Sequence, residues 1–161
     1  MRWKKLIVIG VPVIMLVLVA LILFIFSSIP SEIITFEELK NYAEENGYEF
    51  MDTQDEIPID EIGKTGAVFV KEDVTIEYIE CISNNVAKAL NKNFTIYAQE
   101  YKEKDSFETE INLPEYGSYT LETTKMYIHI TRIKNTIMHV MVKKSEKKVA
   151  KEIMKELGYM N

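Results

Sequence analysis

From Leu6 to Phe26 the chain carries no charged or strongly polar side chain, a run of 21 residues. As a helix rising ~1.5 Å per residue, it reaches roughly 31 Å, about the thickness of a bilayer's hydrocarbon core. A helix that is apolar all round needs burial on every side, and a chain of 161 residues has too little else to bury it. The run is therefore expected to be a transmembrane helix over residues 6–26, with a basic cap at 1–5 and a spacer at 27–32. Pro12 falls in its second turn, where membrane helices tolerate proline. A cleaved signal peptide has an apolar core of only ~7–15 residues and a small-x-small cleavage site. Here Phe26-Ser27-Ser28-Ile29-Pro30-Ser31 follows, without Ala-x-Ala, and the one cysteine is Cys81. Retention as an anchor is expected. Arg2, Lys4 and Lys5 precede the run, while Glu32, Glu37 and Glu38 follow it. The positive-inside rule then puts the N-terminus in the cytoplasm and residues 33–161 outside it.

The part beyond the anchor is acidic. Setting aside Arg2, Lys4 and Lys5 leaves 16 Lys and Arg against 25 Asp and Glu, a net charge of −9. Such a balance disfavours nucleic acid and an anionic membrane surface as partners. With Cys81 alone, no intrachain disulfide forms, and about 130 residues are enough to be held by a core. One cysteine fits a bacterial envelope better than a eukaryotic secretory route. The sequon Asn93-Phe94-Thr95 is expected inside a helix and therefore to be fortuitous.

Local patterns divide the outer part. Thr35 and Glu38 form a capping box ahead of Phe36, Leu39, Tyr42 and Ala43, and Asn46-Gly47 stops that helix. Strands are expected over 48–52, 67–71 and 74–80, the last alternating Val74, Ile76 and Tyr78 with Thr75 and Glu77. Ser83 caps a second helix reaching about Glu103, whose stripe is Val86, Leu90, Phe94, Tyr97 and Tyr101. Residues 104–117, polar and holding Pro114 and Gly117, read as a loop. Strands over 118–123, 126–132 and 136–142 follow. A last helix carries Val149, Ile153, Met154 and Leu157 inward and stops at Gly158-Tyr159. The order α-βββ-α-βββ-α indicates an α+β domain, an antiparallel sheet with helices on one face.

Several of these features occur together in one known group. They are Phe36–Ala43 leading to Gly47-Tyr48, a helix with Ala87, Ala89 and Phe94 after Glu77-Tyr78, then Tyr119-Thr120-Leu121, Arg132-Ile133-Lys134-Asn135-Thr136 and Leu157-Gly158-Tyr159. The arrangement resembles small extracytoplasmic domains of clostridia-like Gram-positive bacteria, held by a lipid anchor or one N-terminal helix. That resemblance implies a location and a domain type, and no reaction.

Two histidines are the leading candidates for chemistry. Pairing Ile130 with Met138, Ile128 with Val140 and Met126 with Val142 makes every inward pair of the last hairpin apolar. It leaves a loop of Ile133-Lys134-Asn135 with Asn135 left-handed. His129 and His139 then face each other on the outer side, ~5 Å apart at Cβ, as a potential metal pair. The competing register sets Ile130 against His139 and Met126 against Lys143 around a two-residue Lys134-Asn135 loop. Glu122 is the nearest candidate for a third ligand, and zinc sites use three or four, so ordinary surface histidines are the simpler reading. Tyr127, Ile137 and Met141 share the same outer face in this register. They are either covered by a helix or loop of the chain or form a docking patch for a protein partner.

Other candidates are weaker. Cys81 has no base placed beside it and reads as a small buried residue. The acidic run Asp52, Asp55, Glu56, Asp60 and Glu61 lacks the spacing of a calcium loop and reads as solvated. No nucleophile elbow, phosphate loop or His-Glu-x-x-His occurs, and no cofactor is implied. The expectation is a membrane-tethered extracytoplasmic interaction or ligand-binding module rather than an enzyme. The alternatives are an envelope metal-binding protein or hydrolase using His129 and His139, and an accessory subunit of a membrane complex.

Overall fold

The computed structural model describes residues 33–53 and 62–160. The anchor, its basic cap and the spacer lie outside the described residues, as do Asp55, Glu56, Asp60 and Glu61 of the acidic run. No helix among the described residues is long and apolar enough to cross a membrane.

The described part is α+β. Helix α1 (Phe36–Glu45) begins on the expected capping box. Glu38 N–H donates to Thr35 Oγ1 at 3.2 Å, and Thr35 N–H donates to the Glu38 carboxylate at 2.8 Å. It ends at Gly47, whose φ of 70° only glycine adopts without strain, and Tyr48 N–H donates back to Ala43 O. Replacing Thr35 by Ala removes one half of the box, and an expected loss of about 1 kcal/mol would be read from the urea midpoint.

Strands β1 (Glu49–Asp52), β2 (Gly63–Lys71) and β3 (Val74–Cys81) form one antiparallel meander. Helix α2 (Asn84–Gln99) follows, capped by Ser83, whose Oγ accepts from Val86 N–H. Strands β4 (Phe107–Asn112), β5 (Tyr116–Glu122), β6 (Met126–Ile133) and β7 (Thr136–Lys143) form a second meander. A 3-10 turn leads into α3 (Lys147–Glu156). The two meanders join through β3 and β7, giving one seven-stranded antiparallel sheet of order β1-β2-β3-β7-β6-β5-β4. The sequon lies within α2, as expected.

Val149, expected to face inward, and Tyr97 and Tyr101, expected on the apolar stripe, are exposed, and three larger expectations need correction. Strand β4 falls in the stretch read as a loop. Its residues alternate, with Phe107, Thr109 and Ile111 on one side and Glu108 and Glu110 on the other, but nearly all are exposed, as is usual at a sheet edge, and this disguises it. Second, α2 stops at Gln99 rather than near Glu103. Third, the helices do not share a face. Leu39 and Ala43 of α1 and Ala150, Ile153 and Met154 of α3 pack with Phe69, Ile76, Tyr78 and Val140 in one core cluster. Ala87 and Ala98 of α2 pack with Tyr119, Leu121, Ile128, Ile130 and Ile137 in another. Because successive strand residues point to opposite faces, these clusters lie on the two sides of the sheet.

A sheet covered on both sides changes the register argument. The last hairpin pairs Met126 with Lys143, Ile128 with Met141, His129 with Val140 and Ile130 with His139. This is the register that the apolar-pair argument rejected. That argument assumed a wet outer face, and no such face exists along β6 and β7 to penalise the slip. The turn is Lys134-Asn135, with Lys134 at φ 51°. Strand β3 fixes it from the side. Cys81 N–H donates to Asn135 O at 2.7 Å, and Asn135 Nδ2 donates to Cys81 O at 3.1 Å.

Candidate functional site

The observed register separates the histidines. His129 shares a face with Val140, under α1 and α3. His139 shares the opposite face with Ile130, under α2. They cannot converge on one ion, and among the described residues no group of three or more His, Cys, Asp and Glu is placed to hold a metal. Glu122 is also engaged elsewhere, in ion pairs with Lys144 and Lys147.

Each histidine has its own setting. His129 is buried, its ring parallel to that of Tyr127 at a centroid distance of 6.3 Å. Its Nδ1 is 2.8 Å from Thr120 Oγ1 and its Nε2 is 2.7 Å from Thr131 Oγ1. Burial pushes its pKa down to about 4, outweighing the backbone of Tyr159, which favours the cation. His139 stacks on Phe94 of α2 at 5.0 Å, with Nδ1 3.1 Å from the Glu77 carboxylate.

The expected interaction face is likewise divided. Tyr127 is buried with the cluster under α1 and α3, while Ile137 and Met141 pack under α2. Tyr127 and Ile137 are interior and Met141 is half-buried, all packed beneath the chain's own helices. Cys81 is fully buried too, and burial pushes its thiol up to about 11, with the nearby Glu80 carboxylate adding to the effect. It has little thiolate near neutral pH.

The unexpected feature lies beneath α2. Strand β6 reads Met-Tyr-Ile-His-Ile-Thr-Arg-Ile, and its alternation puts Arg132 on the same face as Ile128 and Ile130. Only 1% of Arg132 is exposed, an uncommon fate for a guanidinium with no carboxylate in contact. No described Asp or Glu forms an ion pair with it. Instead Nη1 donates to Asn84 Oδ1 at 2.7 Å and to Lys134 O at 3.2 Å, and Nη2 donates to Leu113 O at 2.8 Å. The side chain thus ties the first turn of α2 to both neighbouring hairpin turns.

Arginine has five N–H donors, and these contacts use three. Nε–H and one Nη2–H have no protein acceptor among the described residues. They lie beside Gly117, which pairs with Arg132 across β5 and β6. A Cβ built on Gly117 would sit 3.5 Å from Nε, 3.7 Å from Nη2 and 3.4 Å from Asn91 Nδ2. Asn91 Oδ1 is buried and also has no hydrogen-bond partner among the described residues.

Arg132 and Asn91 line a cleft of about 540 Å³ between α2 and β4. Helix α2 contributes Lys88, Asn91, Lys92 and Thr95, and β4 contributes Glu110 and Asn112. Neither Lys88 nor Lys92 forms an ion pair with a described residue. Three cations therefore border the cleft against one carboxylate, on a chain whose net charge is −6. Sequence reasoning passed over Arg132 as a strand terminus. The available signal was an arginine alternating in step with two isoleucines, opposite a glycine. Neither family models nor curated proteins nor solved structures yield a match to this chain.

Proposed function

We propose that the chain is a membrane-tethered module that displays its α+β domain outside the cytoplasm and binds a small ligand there. The observation that carries the binding half is the cleft under α2, where a buried guanidinium keeps two N–H groups without a protein acceptor. Beside it Asn91 Oδ1 is buried without a partner among the described residues. Buried polar groups are ordinarily satisfied, and leaving one unmade costs about 1–3 kcal/mol, which a ligand in the cleft would recover. The cleft volume of about 540 Å³ is within the usual range for small-molecule sites. The tethered half is supported by the 21-residue apolar run and by the basic residues ahead of it. The metal-binding and hydrolase alternative has lost its geometric premise, because the histidines occupy opposite faces.

Two measurements test this reading. Protease added to intact cells is expected to remove the C-terminal domain; digestion only after lysis would reject the topology. Thermal shift of the full chain against a small-metabolite library is expected to give stabilising compounds whose effect disappears in Ala89→Trp. Ala89 is exposed and lines the cleft, so a large ring there fills the cleft without entering the core. Hits that survive in Ala89→Trp would move the site elsewhere.

A further inference from the structure

We infer that the cleft under α2 is a carboxylate site, with the ligand's two oxygens on the Nε and Nη2 edge of Arg132. The inference rests on the binding reading above and specifies its ligand class. The edge of a guanidinium that bears Nε–H and Nη2–H is planar and matches the two oxygens of a carboxylate in parallel hydrogen bonds. Here that edge is the part of Arg132 with donors to spare. Nη1 is consumed by Asn84 and Lys134, and Nη2 gives one of its two hydrogens to Leu113 O. The absent side chain at Gly117 leaves room along the edge, and Asn91 Nδ2 borders the same space.

Charge points the same way. A guanidinium that is 99% removed from solvent has lost hydration without a counter-charge in contact, the favourable charge of Glu115 acting only from beyond contact distance. A ligand carboxylate supplies that counter-charge. Lys88 and Lys92 are placed one helical turn apart on the wall of the cleft, where they raise the local anion concentration on an otherwise acidic surface. Phosphate also fits a guanidinium fork, and competition between the two anions separates them. Asn91 Oδ1, without a protein donor, completes its bonding with a hydroxyl or amino group next to the carboxylate. The ligand class is therefore a short organic acid, with a hydroxy or amino substituent favoured.

The experiment is a ligand-observed proton NMR titration of the full chain in non-ionic detergent. The probes are butyrate, 2-hydroxybutyrate, butyramide and inorganic phosphate. Saturable butyrate binding is expected, with butyramide weaker by about tenfold or more and with affinity falling as salt rises. The hydroxy acid is expected to bind more tightly than butyrate. Lys92→Glu is exposed and costs no described contact, so it is expected to weaken butyrate about fivefold or more while leaving the unfolding midpoint in place. Arg132→Gln is expected to abolish binding. Because that variant also unhooks three contacts, Lys92→Glu carries the argument should Arg132→Gln fail to fold. Butyramide binding as well as butyrate would overturn the carboxylate assignment and leave a ligand-binding cleft. Phosphate displacing butyrate at lower concentration would overturn it in favour of phosphate. No binding of any library compound or probe would overturn both the assignment and the binding reading.

Discussion

Unfolding at pH 7 and again at pH 4 is expected to reveal a loss of about 3 kcal/mol that belongs to His129. Its ring is buried beside Tyr127 and between two threonine hydroxyls, and burial pushes its pKa from 6.5 down to about 4. In the unfolded chain the imidazole takes up a proton as pH falls through 6.5. In the folded chain it does not until about 4. Over that interval the unfolded state binds more protons, so acid favours unfolding. The contribution of the neutral ring is complete above 6.5, declines by about 1.4 kcal/mol per pH unit at its steepest, and is gone below 4.

Carboxylates titrate lower and do not mimic this. Hydrogen bonds hold the carboxyls of Glu38, Glu103, Glu108 and Glu122 below 4.5. Their stabilisation is present above 4.5 and declines below it, so the interval from 6.5 to 5 excludes them, and substitution of His129 makes the assignment. Urea midpoints across that interval are expected to fall in the parent and to stay nearly level in His129→Gln, whatever that variant's stability at pH 7. A slope that survives the substitution would assign the acid sensitivity to another group.

The sequence disclosed its elements better than their arrangement. The capping box at Thr35 and Glu38 and the glycine stops at Gly47 and Gly158 are local devices, readable because caps and left-handed turns demand particular residues. The capping box and the positive φ at both glycines occur as expected. Register and layering are not local. Residues 127–133 are buried on both faces, so no wet face fixes the slip, and the choice depends on whether a helix lies above it. The wrong register brought His129 and His139 together and manufactured a metal pair. The covered face also hid the better site. Arg132 is conspicuous only once Ile128 and Ile130 are known to be buried beside it under α2. Strand β4 was illegible for the opposite reason, since an edge strand needs exposed charge and so resembles a loop.

The largest effect of a single substitution is expected at Arg132. Arg132→Ala should lower stability by about 3–5 kcal/mol, read from urea unfolding. Two opposing terms decide this. Removing a buried cation relieves its desolvation, which by itself is stabilising. Against that stand three lost hydrogen bonds from a charged donor, each worth about 1.5–3 kcal/mol, and the space left by a long side chain beneath α2. Guanidinium is weakly hydrated, so the relief offsets only part of the lost bonds, and the lost bonds prevail. Their acceptors also belong to three separate elements, the first turn of α2 and the turns after β4 and β6. Losing the hub loosens all three together. Arg132→Lys keeps the charge but presents one ammonium that cannot span Asn84, Lys134 and Leu113 at once. It is expected to recover less than half of the loss. Full recovery by lysine would mean that charge alone holds α2 to the turns and that the fork geometry is idle. Rescue of Arg132→Ala by added guanidinium ion at low millimolar concentration, below the range where it denatures, would support the fork geometry directly, because the ion restores planar donors without the tether.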